Sequence, residues 1–97
     1  MDASEIQRTV LNCLRAVGVT VLRSTLYSLS SEPEEEDIKP VVNQNEFLVT
    51  AVMTRSEFIR LVECCNEGGV WVNYTWEPYG RSIDMFLYQI VAVEMRP

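Results

Sequence analysis

The chain has 97 residues, of which 47% are hydrophobic and 23% are charged, with 14 acidic and 8 basic side chains. This length and composition fit one ordered domain spanning 1–97 and are too apolar for a disordered protein. The formal net charge of −6 repels phosphate backbones and anionic membrane surfaces, and favours a partner protein with a basic surface. The basic residues are scattered along the chain, so we expect no direct binding of nucleic acid.

Compartment and cofactors are constrained by what the sequence lacks. No apolar run is long enough to span a bilayer, and residues 1–10 do not resemble a secretory signal, so we expect a cytoplasmic protein without a membrane segment. Cys13, Cys64 and Cys65 are then expected to be reduced thiols, since two of them are neighbours in the chain and rarely bridge. The chain contains no histidine, and we expect no metal site and no cofactor.

The first predicted element is an amphipathic helix over 2–17. Its apolar positions recur at offsets of three and four, namely Ile6, Val10, Cys13, Leu14 and Val17. This spacing forms one face of a helix. Asp2, with Glu5 three residues later, can cap its start, and Gly18 can end it in the left-handed conformation.

Residues 19–30 are rich in valine, threonine and tyrosine, which favours a strand. A second helix after a glycine kink stays open, because several leucines of this stretch also fall at helical spacing. The following residues, 31–45, contain Glu34, Glu35, Glu36 and Asp37 between two prolines. Like charges and prolines predict a solvated acidic loop, and connections of this length tend to be functional or disordered.

A strand and a helix are predicted next. Residues 46–54 are mostly apolar in both alternating sets, which indicates a strand that is covered on both sides or central in the sheet. Thr54 and Glu57 have the spacing of a capping box before an apolar helical face, and the Gly68–Gly69 pair is expected to end that helix.

A hairpin closes the chain, with strands over 70–77 and 82–94 and a turn that contains Pro78 and Gly80. The predicted order is therefore α-β-β-α-β-β. We expect an α+β fold, a two-layer sandwich in which two helices cover one face of a four-stranded, mainly antiparallel sheet.

The aromatic residues supply the candidate site. Alternation along 70–77 places Tyr74 and Trp76 with the core valines, and it places Trp71 on the opposite, outer face of the sheet. We expect Phe86 and Tyr88 of the hairpin partner to join Trp71 there in an exposed patch that binds a partner.

Two functions are compatible with these features. The favoured hypothesis is a non-enzymatic protein-interaction module, an inhibitor or adaptor that binds a basic protein surface through the outer face, the acidic loop or both, and that can form a homodimer. The alternative is a small-ligand-binding or sensory domain, dimeric, with an arginine anchoring an anionic group. Catalysis is not expected, because the chain has no nucleophile–base pair.

Overall fold

A computed structural model describes residues 1–30 and 43–95 of the chain. The elements in chain order are α1 (Ala3–Val17), β1 (Val21–Ser30), β2 (Asn43–Thr54), α2 (Arg55–Glu67), β3 (Val70–Pro78) and β4 (Met85–Glu94). This order and the α+β class confirm the prediction. Within these described ranges, neither helix combines the length and apolarity that a membrane crossing requires.

Both helices begin at the caps that the sequence predicts. The Asp2 side chain accepts a hydrogen bond from the Glu5 amide at 2.8 Å. Thr54 Oγ1 accepts from the Glu57 amide at 3.2 Å, and the Glu57 carboxylate accepts in turn from the Thr54 amide at 2.9 Å. These bonds satisfy amides of the first turns, which have no partner within the helix.

Glycines end both helices. Gly18 has a φ of 85°, and its amide bonds back to the last carbonyls of α1. After α2, Gly69 adopts the left-handed conformation with a φ of 82°. Gly68 has an ordinary φ and serves a different purpose, since a Cβ built on it would lie 2.5 Å from Cγ2 of Thr9 in α1. The missing side chain lets the end of α2 approach α1.

The sheet is four-stranded in the order β1-β2-β4-β3, and neighbouring strands are antiparallel. β2 and β3 therefore run parallel to each other on either side of β4. The helix α2 connects these two strands, so the connection passes over the position that β4 occupies. β1 and β3 are the edges of the sheet.

Some predicted boundaries need correction. Residues 19–30 form a strand, as favoured over the second helix, although it begins at Val21. Asn43, Gln44 and Asn45 belong to β2 and not to a loop, because they pair with the end of β1. β4 begins at Met85, since residues 82–84 form part of the turn. The remainder of the predicted acidic loop, 31–42, lies outside the described residues.

The core lies between the sheet and the two helices. Its buried side chains come from both helices and from the helix-facing side of β2, β3 and β4. They are Ile6, Val10, Cys13, Leu14, Phe47, Val49, Ala51, Met53, Phe58, Leu61, Cys65, Val70, Val72, Tyr88, Ile90 and Ala92. Both helices therefore pack on the same side of the sheet, as predicted. No charged side chain is buried among the described residues.

The two helices are joined covalently. Cys13 of α1 and Cys64 of α2 form a disulfide with 5.7 Å between their Cα atoms. The prediction that all three cysteines are reduced is therefore wrong for this pair, while Cys65 is a free, buried thiol. Neighbouring cysteines such as Cys64 and Cys65 rarely bridge, but packing α1 against α2 brings the distant Cys13 within bonding range of Cys64.

Candidate functional site

The register of the final hairpin decides which aromatic residues share a face. Tyr88 lies directly opposite Trp76, and Phe86 lies opposite Pro78. Residues that pair directly across antiparallel strands point to the same side of the sheet. Phe86 and Tyr88 therefore lie on the helix side, and the prediction that they join Trp71 on the outer face is wrong. Trp71 pairs with Val93 and lies on the outer face, 49% exposed.

Tyr88 belongs to the core. Its side chain is 3% exposed, and its ring stacks on the ring of Phe58 with 4.1 Å between centroids. Burial raises the pKa of the Tyr88 hydroxyl, and the nearby Arg55 guanidinium offsets part of that rise. Tyr88 is therefore a core residue and does not belong to an exposed patch on the outer face.

Tyr74 and Trp76 differ from the prediction in the opposite sense. They lie on the helix side, as alternation indicates, but they are 51% and 50% exposed instead of buried. The shorter Val70 and Val72 on the same face are covered by the helix layer. The longer rings, at the edge of the sheet, extend beyond that cover.

These rings form one wall of a groove between β3 and α2, which we call the aromatic groove. It encloses about 430 Å³ and is lined by Arg55, Phe58, Ile59, Val62, Glu63, Tyr74, Trp76 and Tyr88. Arg55 lies over the rings of Trp76 and Phe86, with its guanidinium carbon 5.8 and 5.9 Å from the two centroids. The ring of Phe58 contacts the ring of Tyr74 edge-on, with 4.5 Å between the two centroids. The groove is thus an apolar channel with one cation and one carboxylate on its rim.

The second candidate surface is the outer sheet face, the side of the sheet opposite the helices. A shallow concavity of about 580 Å³ lies on its middle, and the lining side chains that point outward are Arg23, Thr25, Leu48, Thr50, Asn73, Thr75, Gln89 and Val91. They form two rows across the strands. One row is polar and runs Arg23, Thr50, Gln89, Thr75, while the other runs Thr25, Leu48, Val91, Asn73.

Hydrogen bonds within the outer sheet face hold some of its side chains in place. Thr75 Oγ1 donates to Gln89 Oε1 at 3.2 Å, across the β3–β4 pair. The Trp71 indole Nε1 donates to Asn73 Oδ1 at 3.1 Å. Trp71 is therefore fixed at the rim of the concavity with its ring half exposed, in the arrangement that suits an anchor residue of an interface.

The acidic residues proposed to bind a partner, Glu34, Glu35, Glu36 and Asp37, lie outside the described residues. Their segment connects Ser30, the last residue of β1, to Asn43, the first residue of β2. Ser30 and Asn43 are paired with each other in the sheet. The outer sheet face carries its own carboxylates, Glu46 on β2 and Glu77 on β3.

Cys65 is the free cysteine of the chain. Cys65 is buried, and burial raises the pKa of its thiol to about 11, which keeps it protonated and unreactive near neutral pH. No group of three or more metal-binding side chains occurs within 1–30 and 43–95. The aromatic groove and the outer sheet face offer concave shape, ring faces and hydrogen-bonding groups.

Comparison with known proteins gives no assignment, because no family model, no curated protein and no solved structure matches this chain. The function must be inferred from the two surfaces themselves.

Proposed function

We propose that this protein is a small acidic protein-binding module, an inhibitor or adaptor, that contacts its partner through the outer sheet face. The observation that carries the proposal is that both helices pack on the other side of the sheet, so no described element covers this face. A two-layer fold with an open, concave sheet that bears a half-exposed tryptophan has a surface suited to a partner.

The chemistry of the outer sheet face supports a mixed interface. Leu48 and Val91 supply apolar area at its centre, and the threonine and glutamine side chains around them can donate and accept hydrogen bonds. Trp71 stands at one rim and provides the large, rigid ring that dominates the energy of many interfaces. A flat or convex apolar segment of a protein would fit this concavity.

Charge supports a basic surface on that partner. The net charge is −6, and Glu46 and Glu77 lie on the same face as Trp71. The acidic segment that contains Glu34 and Asp37 joins β2 at Asn43, three residues before Glu46. Such an arrangement steers a basic partner toward the face and raises its association rate at low salt.

The disulfide bears on the cellular compartment in which this protein works. The cytoplasmic location predicted from the sequence stays a prediction, and the Cys13–Cys64 disulfide weighs against it, because such bonds persist mainly in oxidising compartments. We also propose that the protein is not an enzyme, on the basis of its missing histidine and its buried free thiol.

A photo-crosslinking amino acid tests the proposed surface. Placed at Thr50, in the middle of the outer sheet face, it should crosslink to one protein in cells that make this chain. The matched control places it at Arg60, an exposed position on α2, on the other side of the sheet. We expect Leu48→Arg or Trp71→Ala to abolish the crosslink from position 50, and neutralising Glu34, Glu35, Glu36 and Asp37 together to weaken it and reduce its salt dependence.

Two results would contradict this assignment. One is an equal crosslink from position 60. The other is a crosslink from position 50 that Leu48→Arg leaves unchanged.

A small ligand is the second candidate for the same face, because the concavity has the volume of a ligand site and Arg23 on its rim could hold an anionic group. Native mass spectrometry of the protein from its own host separates the two functions. A retained small-molecule mass that Arg23→Ala removes would favour the ligand, whereas a co-purifying protein that Trp71→Ala removes would favour the interaction module.

A further inference from the structure

β3 is an edge strand whose outward main-chain groups are unpaired with any described strand. At its two ends, the Met95 amide donates to the Gly69 carbonyl at 2.9 Å and the Tyr79 amide donates to the Met85 carbonyl at 3.1 Å. In an antiparallel ladder every second residue turns its amide and carbonyl toward the neighbour. The odd-numbered residues of β3 therefore bond to β4, and the amides and carbonyls of Val70, Val72, Tyr74 and Trp76 point outward.

The two edges of the sheet are protected to different degrees. β1 has an irregular register between Val21 and Arg23, and it carries the charged Arg23 on its exposed length. Bulges and charges of this kind discourage another strand from pairing. β3 pairs regularly with β4 along its length and has no charged residue from Val70 to Trp76. β3 is thus the edge that can accept a further strand.

The flank of α2 beside this edge has a self-complementary pattern. Arg55, Ile59 and Glu63 are four residues apart in turn, which places them along one stripe of the helix. All three line the aromatic groove next to Tyr74 and Trp76. Ile59, in the middle of the stripe, is 50% exposed. Two such stripes packed antiparallel place an isoleucine against an isoleucine, and an arginine against a glutamate at each end.

We propose that a second copy of this chain docks on β3 and the aromatic groove, related by a two-fold axis that passes near Tyr74 and Ile59. The two β3 strands then pair antiparallel, with Tyr74 opposite itself and Val72 opposite Trp76, and the two sheets become continuous. One axis can pass near both Tyr74 and Ile59, because these residues lie at the same height along β3 and α2. Two contacts between the elements fix this alignment: Phe58 contacts Tyr74, and Arg55 lies over Trp76. Each Arg55 then faces Glu63 of the other copy.

This arrangement accounts for features that the isolated chain leaves unexplained. The half-exposed rings of Tyr74 and Trp76 gain cover from α2 of the second copy, and the outward main-chain groups of β3 gain hydrogen bonds. The outer sheet face is not used, so this inference is independent of the proposed function, and the dimer presents two copies of that face side by side.

Analytical ultracentrifugation over a range of concentrations tests the dimer. We expect a mass that approaches twice the 11.1 kDa of one chain. Arg55→Glu or Glu63→Arg alone should weaken association about tenfold, because each replaces two attractive contacts by two repulsive ones. The double variant Arg55→Glu/Glu63→Arg should restore association. Arg60→Glu, an equal change of charge one position beyond Ile59, is the matched control and should have no effect.

Ile59→Cys tests the geometry directly, since the axis places this position next to itself. We expect oxidation to crosslink this variant into a dimer, and the control Arg60→Cys to stay uncrosslinked under the same conditions. Circular dichroism confirms that each variant is folded before it is scored.

Three results would overturn the inference. The first is the mass of a single chain at all concentrations up to the solubility limit. The second is a dimer that neither Arg55→Glu nor Glu63→Arg weakens. The third is equal crosslinking from positions 59 and 60.

Discussion

At the scale of single residues, Phe58 holds the aromatic packing together. It is buried, stacks on Tyr88 and contacts Tyr74 edge-on. Through these two contacts it fixes one wall and the floor of the aromatic groove. A single phenylalanine therefore connects the core to a surface.

We expect Phe58→Ala to lower the free energy of unfolding by about 3–5 kcal/mol, the usual loss for a buried phenylalanine replaced by alanine. Urea denaturation measures this change. Trp76→Ala is the matched comparison, because Trp76 belongs to the same group of rings but is half exposed. Its loss should be clearly smaller, and equal losses for the two variants would show that Phe58 does not have the central place described.

Cys65 has a consequence for pH dependence. Burial raises its pKa from 9.0 to about 11. A folded pKa above the unfolded value means that the thiol's contribution to stability is complete below the unfolded pKa and is lost as the pH rises toward the folded one. We expect the stability advantage of the wild type over Cys65→Ala to shrink between pH 9 and 11.

The same burial predicts slow alkylation. Iodoacetamide at about pH 8, near the ordinary thiol range, should modify Cys65 only after the chain is unfolded in urea. Equal labelling rates in the native and the unfolded protein would contradict the buried, protonated thiol.

Trp71 and Tyr88 show how far single positions follow from the sequence. Alternation within β3 correctly placed Trp71 on the outer face, since it needs only the strand itself. Placing Tyr88 required the register between β3 and β4, which depends on how many residues the turn uses. Predicting that Trp76 is exposed would require knowing how far the helices extend over β3, and the local sequence pattern does not contain this information.

At the scale of elements, the disulfide joins α1 and α2, two helices that are distant in the chain. Cys13 and Cys64 are 51 residues apart in the chain. A crosslink over such a distance restricts the unfolded chain strongly, which stabilises the folded state relative to it.

We expect Cys13→Ala/Cys64→Ala to unfold at lower urea concentration, with a loss of about 2–4 kcal/mol. Wild type in excess reductant should lose a similar amount, apart from the change of side chain. Thiol counting in denaturant supplies the control, because the unreduced chain should show one reactive thiol and the reduced chain three. Three reactive thiols without reductant would show that the bond is absent.

The elements themselves were largely predictable. Asp2, Gly18 and the Thr54–Glu57 capping box act within a few residues of chain, so their effect can be read from local sequence. The boundaries of β2 and β4 were less so, since pairing with β1 extends β2 to Asn43 and the turn geometry delays β4 to Met85. The disulfide depends on the packing of two distant helices, and local patterns do not report that.

At the scale of the whole molecule, the two faces of the sheet differ in what covers them. The helix side closes the core and leaves the aromatic groove beside β3, while the outer sheet face stays open. The number and order of the elements were predictable from periodicity, but the sheet order β1-β2-β4-β3 was not. It depends on α2 carrying the chain past the position of β4, and several sheet orders satisfy the same hydrophobic pattern.

That order has a consequence for synthesis on the ribosome. β4 pairs with β2 on one side and β3 on the other, and it is the last of the four strands to leave the exit tunnel. Until it emerges, β1 and β2 can pair with each other, but β3 lacks the one strand it pairs with in the folded protein. The sheet is therefore completed only when β4 inserts between β2 and β3. The apolar β4 sequence is the segment for which binding by a nascent-chain chaperone would matter most.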